Sequence, residues 1–197
     1  MKRAPLFLLL LAALLLPAPS VLAGPITLVS TLTGPNESPA NASPGTGLAQ
    51  VTIDSVAHTM ALDVTFLDLL GTVTASHIHC CTSVPSVGTA GVATTVPTFP
   101  GFPSAVTFGT YSHVLDMTLA SSYNPSFITA HGGTATSAEA DLFAGIVAGD
   151  AYLNIHTTLL PGGEIRGFLE PVPEPSTLML LGTGLVGAAR AWRKRKA

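Results

Sequence analysis

A two-residue alternation runs from Met60 to Phe66, where large apolar side chains alternate with Ala, Asp and Thr. In a helix this pattern would spread the apolar side chains around the whole circumference, whereas in a strand it places them on one face. The segment therefore predicts a β-strand with one buried face and one face in water. The rest of the fold has to cover that buried face.

Other segments share this composition, being rich in Val, Ile, Thr and Phe and bounded by Gly or Pro. They are residues 26–33, 48–54, 72–79 and 105–119, and a final hairpin of 151–157 and 164–169 that turns through Pro161-Gly162-Gly163. Residues 84–103 are expected to form a long irregular connection. Many short strands with glycine-rich turns predict a mainly β fold, an antiparallel Greek-key-like sandwich or barrel.

One short helix is expected at residues 137–148. Thr136 and Glu139 have the spacing of a capping box, and Gly149 can end the helix. The apolar residues that would face the core form one stripe: Leu142, Phe143, Ile146 and Val147. The fold class is therefore β with a single short helix in this domain.

The first 23 residues have the three parts of a secretory signal peptide. Lys2 and Arg3 form a basic start, Leu6 to Leu16 an apolar helical run, and Val21-Leu22-Ala23 a small-residue cleavage site. The apolar run is too short for a bilayer core of about 30 Å. We therefore expect residues 1–23 to be a cleaved signal that directs export through the Sec translocon.

Residues 171–197 form a second targeting segment, with Pro173-Glu174-Pro175, an uncharged apolar stretch from 177 to 189, and a basic end. The basic residues of that end include Arg193, Lys194, Arg195 and Lys196. An apolar helix over the stretch would span roughly 20 Å, less than the hydrocarbon core, and the basic end would stay on the cytoplasmic side. An ordinary tail anchor is one interpretation.

The order of these three parts resembles the PEP-CTERM sorting signal of Gram-negative bacteria. The resemblance implies transient anchoring in the inner membrane and processing by an exosortase-like enzyme. It also implies release or attachment at the cell surface, often in species that produce exopolysaccharide.

Between the two ends, residues 24–170 are about one domain in length and hold ten acidic residues and one strong cation, Arg166. The net charge of this stretch is −9 with its histidines neutral. Nucleic-acid-binding proteins need Lys and Arg to neutralise phosphates, so that class is excluded. The stretch is long enough to bury one core.

The densest polar group is His77-Ile78-His79. On a strand, His77 and His79 would share one face while Ile78 points into the core. Tyr152 and His156 would share a face of a later strand. If the two strands are neighbours, His77, His79 and His156 can form a three-nitrogen site suited to copper or zinc. The alternative is that these histidines hydrogen-bond backbone or carboxylate groups and hold loops.

Cys80 and Cys81 are adjacent, and the chain has no other cysteine. Thiols outside the cytoplasm tend to oxidise, and neighbouring cysteines can join only in a small ring. Pairing between chains and a ligand role for Cys81 are the alternatives. A disulfide framework across the domain is excluded.

Arg166 has two candidate partners for an ion pair. Glu164 lies two residues away and would share its strand face, which favours a local pair. A pair with Glu37 would instead pin the N-terminal loop to the last strand. We expect structural roles for Glu37, Glu164 and Arg166.

Separated motifs, in order, resemble those of the CHRD domain family. They are Leu32–Pro39, His77-Ile78-His79, and Tyr152–Thr157 followed by Pro161–Gly167. The family commonly has Gly after His-Ile-His, where this chain has Cys80-Cys81. The resemblance implies a domain over about residues 26–169 with a helix near 137–148. It does not imply the growth-factor binding of chordin, because a shared fold is not a shared site.

The chain has no Gly-x-Ser-x-Gly, Walker or His-Glu-x-x-His motif. We therefore expect a non-catalytic binding or structural module, secreted or attached to the cell surface, with exopolysaccharide as a candidate partner. A copper- or zinc-binding domain is the alternative. A metal-dependent oxidoreductase like Cu/Zn superoxide dismutase is less favoured, because a domain of charge −9 would repel superoxide.

Overall fold

The computed structural model describes residues 24–172 and 183–184. The predicted signal peptide (1–23), the Pro173-Glu174-Pro175 motif, the basic end (193–196) and nearly all of the predicted apolar helix lie outside these residues. Within the described part of the chain, no helix has the length and apolar character needed to cross a membrane.

The described domain is built on one antiparallel sheet of eight strands. The strands are β1 (Ile26–Thr33), β2 (Thr46–Asp54), β3 (Thr59–Leu67), β4 (Val73–His79), β5 (Gly109–Asp116), β6 (Tyr152–Thr157), β7 (Ile165–Phe168) and β8 (Glu170–Pro171). The helices are α1 (Pro125–Ala130) and α2 (Ala135–Ala148), with 3-10 turns at Gly34–Asn36 and Ala120–Ser122. The strand order is β4-β6-β7-β1-β2-β3-β5, and β8 pairs with β1. The prediction of a mainly β, antiparallel fold is confirmed.

The sheet curls into a half-barrel, so that its two end strands approach each other. Just before β5, the amide of Ala105 donates to the carbonyl of Val73 at 3.0 Å. The amide of Val73, at the start of β4, donates to the carbonyl of Val106 at 2.8 Å. Because β4 and β5 stand at opposite ends of the strand order, these two bonds close one end of the curl.

The alternation that begins at Met60 is realised in β3. Met60, Leu62, Val64 and Phe66 are each at most 2% exposed, whereas Asp63 lies in water. These side chains join a single core with residues of β1, β2 and α2. Burial of one such side chain stabilises the fold by about 1.5–3 kcal/mol, so this strand contributes strongly to the core.

Helix α2 is the predicted helix, but its N-terminal cap differs from the predicted one. Thr134 and Ser137 form the capping box, with the Ser137 amide donating to the Thr134 hydroxyl at 3.1 Å. The helix begins two residues earlier than the Thr136–Glu139 pair requires, and Glu139 is buried and pairs with His58 at 2.9 Å instead. The six-residue α1 was not predicted, because so short a helix has no readable period.

The core-facing side of α2 is mostly as predicted. Leu142, Phe143 and Ile146 are buried, while Val147 is 45% exposed. Gly149 ends the helix in the left-handed conformation, with φ of 80°. That conformation favours glycine, which accounts for the residue at this position.

Cys80 and Cys81 are joined by a disulfide, which is one of the three alternatives that the sequence left open. Both sulfurs lie against Gly145 of α2, where a Cβ would come within 2.5 Å of each Sγ. Cys81 therefore faces the helix, and its sulfur takes no part in the histidine cluster described below.

Candidate metal centre

Strands β4 and β6 are neighbours, which is the condition that the predicted histidine site required. His77 lies opposite Asn154, and His79 lies opposite Tyr152. Ile78 is fully buried in the core, as the alternation predicts. The structure therefore brings the predicted residues His77 and His79 together with His156, and one ligand nitrogen from each lies within 4.8 Å of the others.

Backbone carbonyls fix the orientation of all three imidazole rings. The Nδ1 atoms face these carbonyls in the pairs His77–Pro97 (3.3 Å), His79–Ala90 (2.9 Å) and His156–Pro161 (2.9 Å). A carbonyl oxygen can only accept a hydrogen bond, so each Nδ1 must carry the proton. In a neutral imidazole this leaves a free lone pair on Nε2.

The three Nε2 atoms are buried, and none has a hydrogen-bond partner among the described residues. Leaving one buried acceptor unpaired destabilises a fold by about 1–3 kcal/mol, and such atoms are rare in folded proteins. Three of them in one cluster indicate that something absent from the polypeptide is meant to bind there.

Burial also keeps these histidines neutral. It lowers the pKa of His77 to about 3 and the pKa of His79 to about 4. It lowers the pKa of His156 as well. At neutral pH all three rings therefore present the unprotonated Nε2 that a transition metal requires.

The cluster fits a copper or zinc ion in chemistry and nearly in size. Three imidazoles are the usual ligand set for zinc and also suit copper. Bonds of about 2.0–2.1 Å in tetrahedral geometry place the ligand nitrogens roughly 3.4 Å apart. The rings, now within 4.8 Å of one another, would have to close slightly around the ion.

Arg166 pairs with Glu37, and the predicted local pair with Glu164 is wrong. The Nε of Arg166 lies 3.8 Å from the Oε2 of Glu37, and both side chains are almost fully buried. Burial raises the pKa of Glu37 to about 7, against the opposing effect of the Arg166 charge. The pair links the loop after β1 to β7, as the longer-range alternative expected.

Glu164 has a different structural role. Its carboxylate, which is 0% exposed, accepts hydrogen bonds from the amides of Leu70 and Gly71 and from the hydroxyls of Ser43 and Thr157. Although burial acts to raise it, these hydrogen bonds together hold the pKa of Glu164 below its ordinary value. The residue therefore anchors three connections between strands as a carboxylate.

Sequence reasoning missed the groups that orient the ligands. The carbonyls of Pro97 and Ala90 belong to the irregular connection 84–103, and the carbonyl of Pro161 belongs to the turn of the last hairpin. Every residue has a carbonyl, so no residue type marks these acceptors in the sequence. The proline-rich composition of the two segments was the only available signal that their backbone takes a special course.

Comparisons with known proteins give two family matches. A model of the CHRD domain matches residues 28–169, and a model of the PEP-CTERM protein-sorting motif matches residues 171–196. Comparison with curated proteins gives no match, and comparison with solved structures gives none either.

Proposed function

The chain belongs to the CHRD domain family, and from this premise we propose that it is a non-catalytic module that binds one copper or zinc ion through His77, His79 and His156. Its PEP-CTERM motif makes it an extracytoplasmic protein, sorted through its C-terminus by exosortase-like machinery. The metal site and an association with exopolysaccharide are the parts that the proposal adds.

One observation carries the metal site. Three buried Nε2 atoms without hydrogen-bond partners converge from two paired strands, while a backbone carbonyl holds the opposite nitrogen of each ring. Metal-binding histidines usually donate their other N–H to such an acceptor, which fixes the tautomer and the direction of the lone pair. Histidines that only held loops would need no such convergence of free lone pairs.

The burial of the site favours a binding role over catalysis. A catalytic metal keeps an open position for water or substrate, whereas a structural one is closed by protein. Here the three Nε2 atoms are shielded from solvent. A bound ion would tie β4 to β6 and to the loops that supply the carbonyls. The charge of −9 on residues 24–170 also disfavours an enzyme that attracts superoxide.

A titration of the full-length chain with Zn(II) and with Cu(II) tests the proposal. We expect one equivalent to bind, and we expect His79→Ala to weaken binding by at least about 100-fold. A smaller effect, about 10–100-fold, is typical when only an outer-sphere partner is removed. His113→Ala is the matched control, because His113 lies on β5 and outside the cluster.

The two variants separate the specific site from adventitious binding. Equal losses in His79→Ala and His113→Ala would show that the metal binds elsewhere. Absence of binding to the unaltered chain would leave the three histidines with a structural role only.

A further inference from the structure

His79 is one layer of a stack that continues into Tyr152 and Arg166. The imidazole of His79 is parallel to the ring of Tyr152, with an interplanar angle of 5° and centroids 4.8 Å apart. The guanidinium carbon of Arg166 lies 4.7 Å from the centroid of the same tyrosine ring. Tyr152 is 2% exposed and Arg166 is 5% exposed, so the stack is nearly closed to water.

The hydroxyl of Tyr152 also contacts the residue that orients His79. It accepts a hydrogen bond from the amide of Ala90 at 3.2 Å and lies 3.4 Å from the Ala90 carbonyl oxygen. That same carbonyl accepts from the Nδ1 of His79 at 2.9 Å. Tyr152 therefore touches both the ligand ring and the acceptor that sets its tautomer.

Arg166 holds the other side of this arrangement. Its guanidinium donates to the carbonyl of Gly88 at 3.1 Å, two residues before Ala90. Its Nε donates to the carbonyl of Asn36, and the side chain pairs with Glu37. One buried cation thus fixes both the tyrosine ring and the loop segment that carries the acceptor of His79.

From this geometry we infer that Tyr152, supported by Arg166, is the positioning residue that sets the direction of the His79 lone pair and thereby the affinity of the site for metal. The inference rests on the proposed function, since it concerns the same three histidines. Tyr152 does not touch the ion itself. It acts by holding His79, in the way that outer-sphere partners of metal ligands act.

Two substitutions separate the contacts of Tyr152. Tyr152→Leu removes both the stacked ring and the hydroxyl, and should weaken binding of Cu(II) to the full-length chain by about 10–100-fold. Tyr152→Phe keeps the ring and removes only the contact with Ala90, so its loss should be smaller. The electron paramagnetic resonance spectrum should report three coupled nitrogens in the unaltered chain and in Tyr152→Phe, but two in Tyr152→Leu.

Tyr111 provides the matched control. It is 7% exposed, and its hydroxyl donates to the carbonyl of Pro100 at 3.1 Å, but it lies on β5, and its ring packs on Phe99 and Phe102. We expect Tyr111→Leu and Tyr111→Phe to keep the affinity and the three-nitrogen spectrum, whatever they do to stability. Circular dichroism establishes which variants are folded, and Tyr152→Phe carries the test if Tyr152→Leu is not.

The outcomes distinguish this inference from the proposed function. If the unaltered chain binds no copper, both fall together. If His79→Ala abolishes binding while the Tyr152 variants match their Tyr111 counterparts in affinity and spectrum, the metal site stands and the positioning role of Tyr152 is wrong.

Discussion

Replacement of Arg166 with methionine is expected to lower the free energy of unfolding by about 3–5 kcal/mol, because it leaves a buried carboxyl without its cation. Glu37 is 8% exposed and has Arg166 as its ion-pair partner. The carbonyls of Asn36 and Gly88 lose a donor at the same time. Methionine has a similar length and fills most of the space, so the loss measures the polar contacts more than a cavity.

The size of this effect should depend on pH. The pKa of Glu37 is about 7 in the folded chain against 4.5 ordinarily, so its contribution to stability falls as pH rises from about 4.5 through 7. Without Arg166 this pKa should rise further, because the opposing charge is gone. The folded variant can then keep a neutral Glu37 easily at pH 5 but not at pH 8, and the loss should be larger at pH 8.

Urea unfolding followed by circular dichroism at pH 5 and pH 8 measures both effects. The double variant Arg166→Met with Glu37→Gln should recover part of the loss at pH 8, because it removes the unpaired carboxyl. A loss below about 1 kcal/mol at both pH values, which is the range of an exposed pair, would contradict a buried role for this pair.

Replacement of Glu164 with alanine should lower the free energy of unfolding by about 4 kcal/mol or more. Its carboxylate accepts four hydrogen bonds, from Leu70, Gly71, Ser43 and Thr157. Each donor left unpaired in a buried site destabilises the fold by about 1–3 kcal/mol. Such a loss is a large share of the about 5–15 kcal/mol that stabilises a typical domain.

Glu170→Ala is the control for this experiment, because Glu170 is an exposed acid near the same end of the chain. Thermal or urea unfolding should show almost no change in that variant. If the two variants lose similar stability, the four hydrogen bonds of Glu164 do not anchor the strand connections as described.

The strands could be predicted because their side chains report their own surroundings. Met60 to Phe66 alternate in burial as they alternate in polarity, and His77, Ile78 and His79 divide between two faces by the same rule. The histidine site needed one further fact, the pairing of β4 with β6. Pairing depends on the whole topology, so the sequence could state it only as a condition.

The partner of Arg166 could not be predicted, because strand periodicity does not hold outside a strand. The expectation placed Glu164 and Arg166 on one face, but β7 begins at Ile165. Gly163, with φ of 130°, turns the chain immediately before Glu164, whose side chain then reaches Leu70 and Gly71. The choice of Glu37 arises from long-range packing that no local pattern encodes.

The most direct test of the metal centre is X-ray absorption spectroscopy at the metal edge, on the full-length chain loaded with one equivalent of zinc or copper. We expect three imidazole nitrogens in the first coordination sphere, near 2.0–2.1 Å for zinc. The number should fall to two in His156→Ala. A first coordination sphere without imidazole, or one that His156→Ala leaves unchanged, would contradict the proposed site.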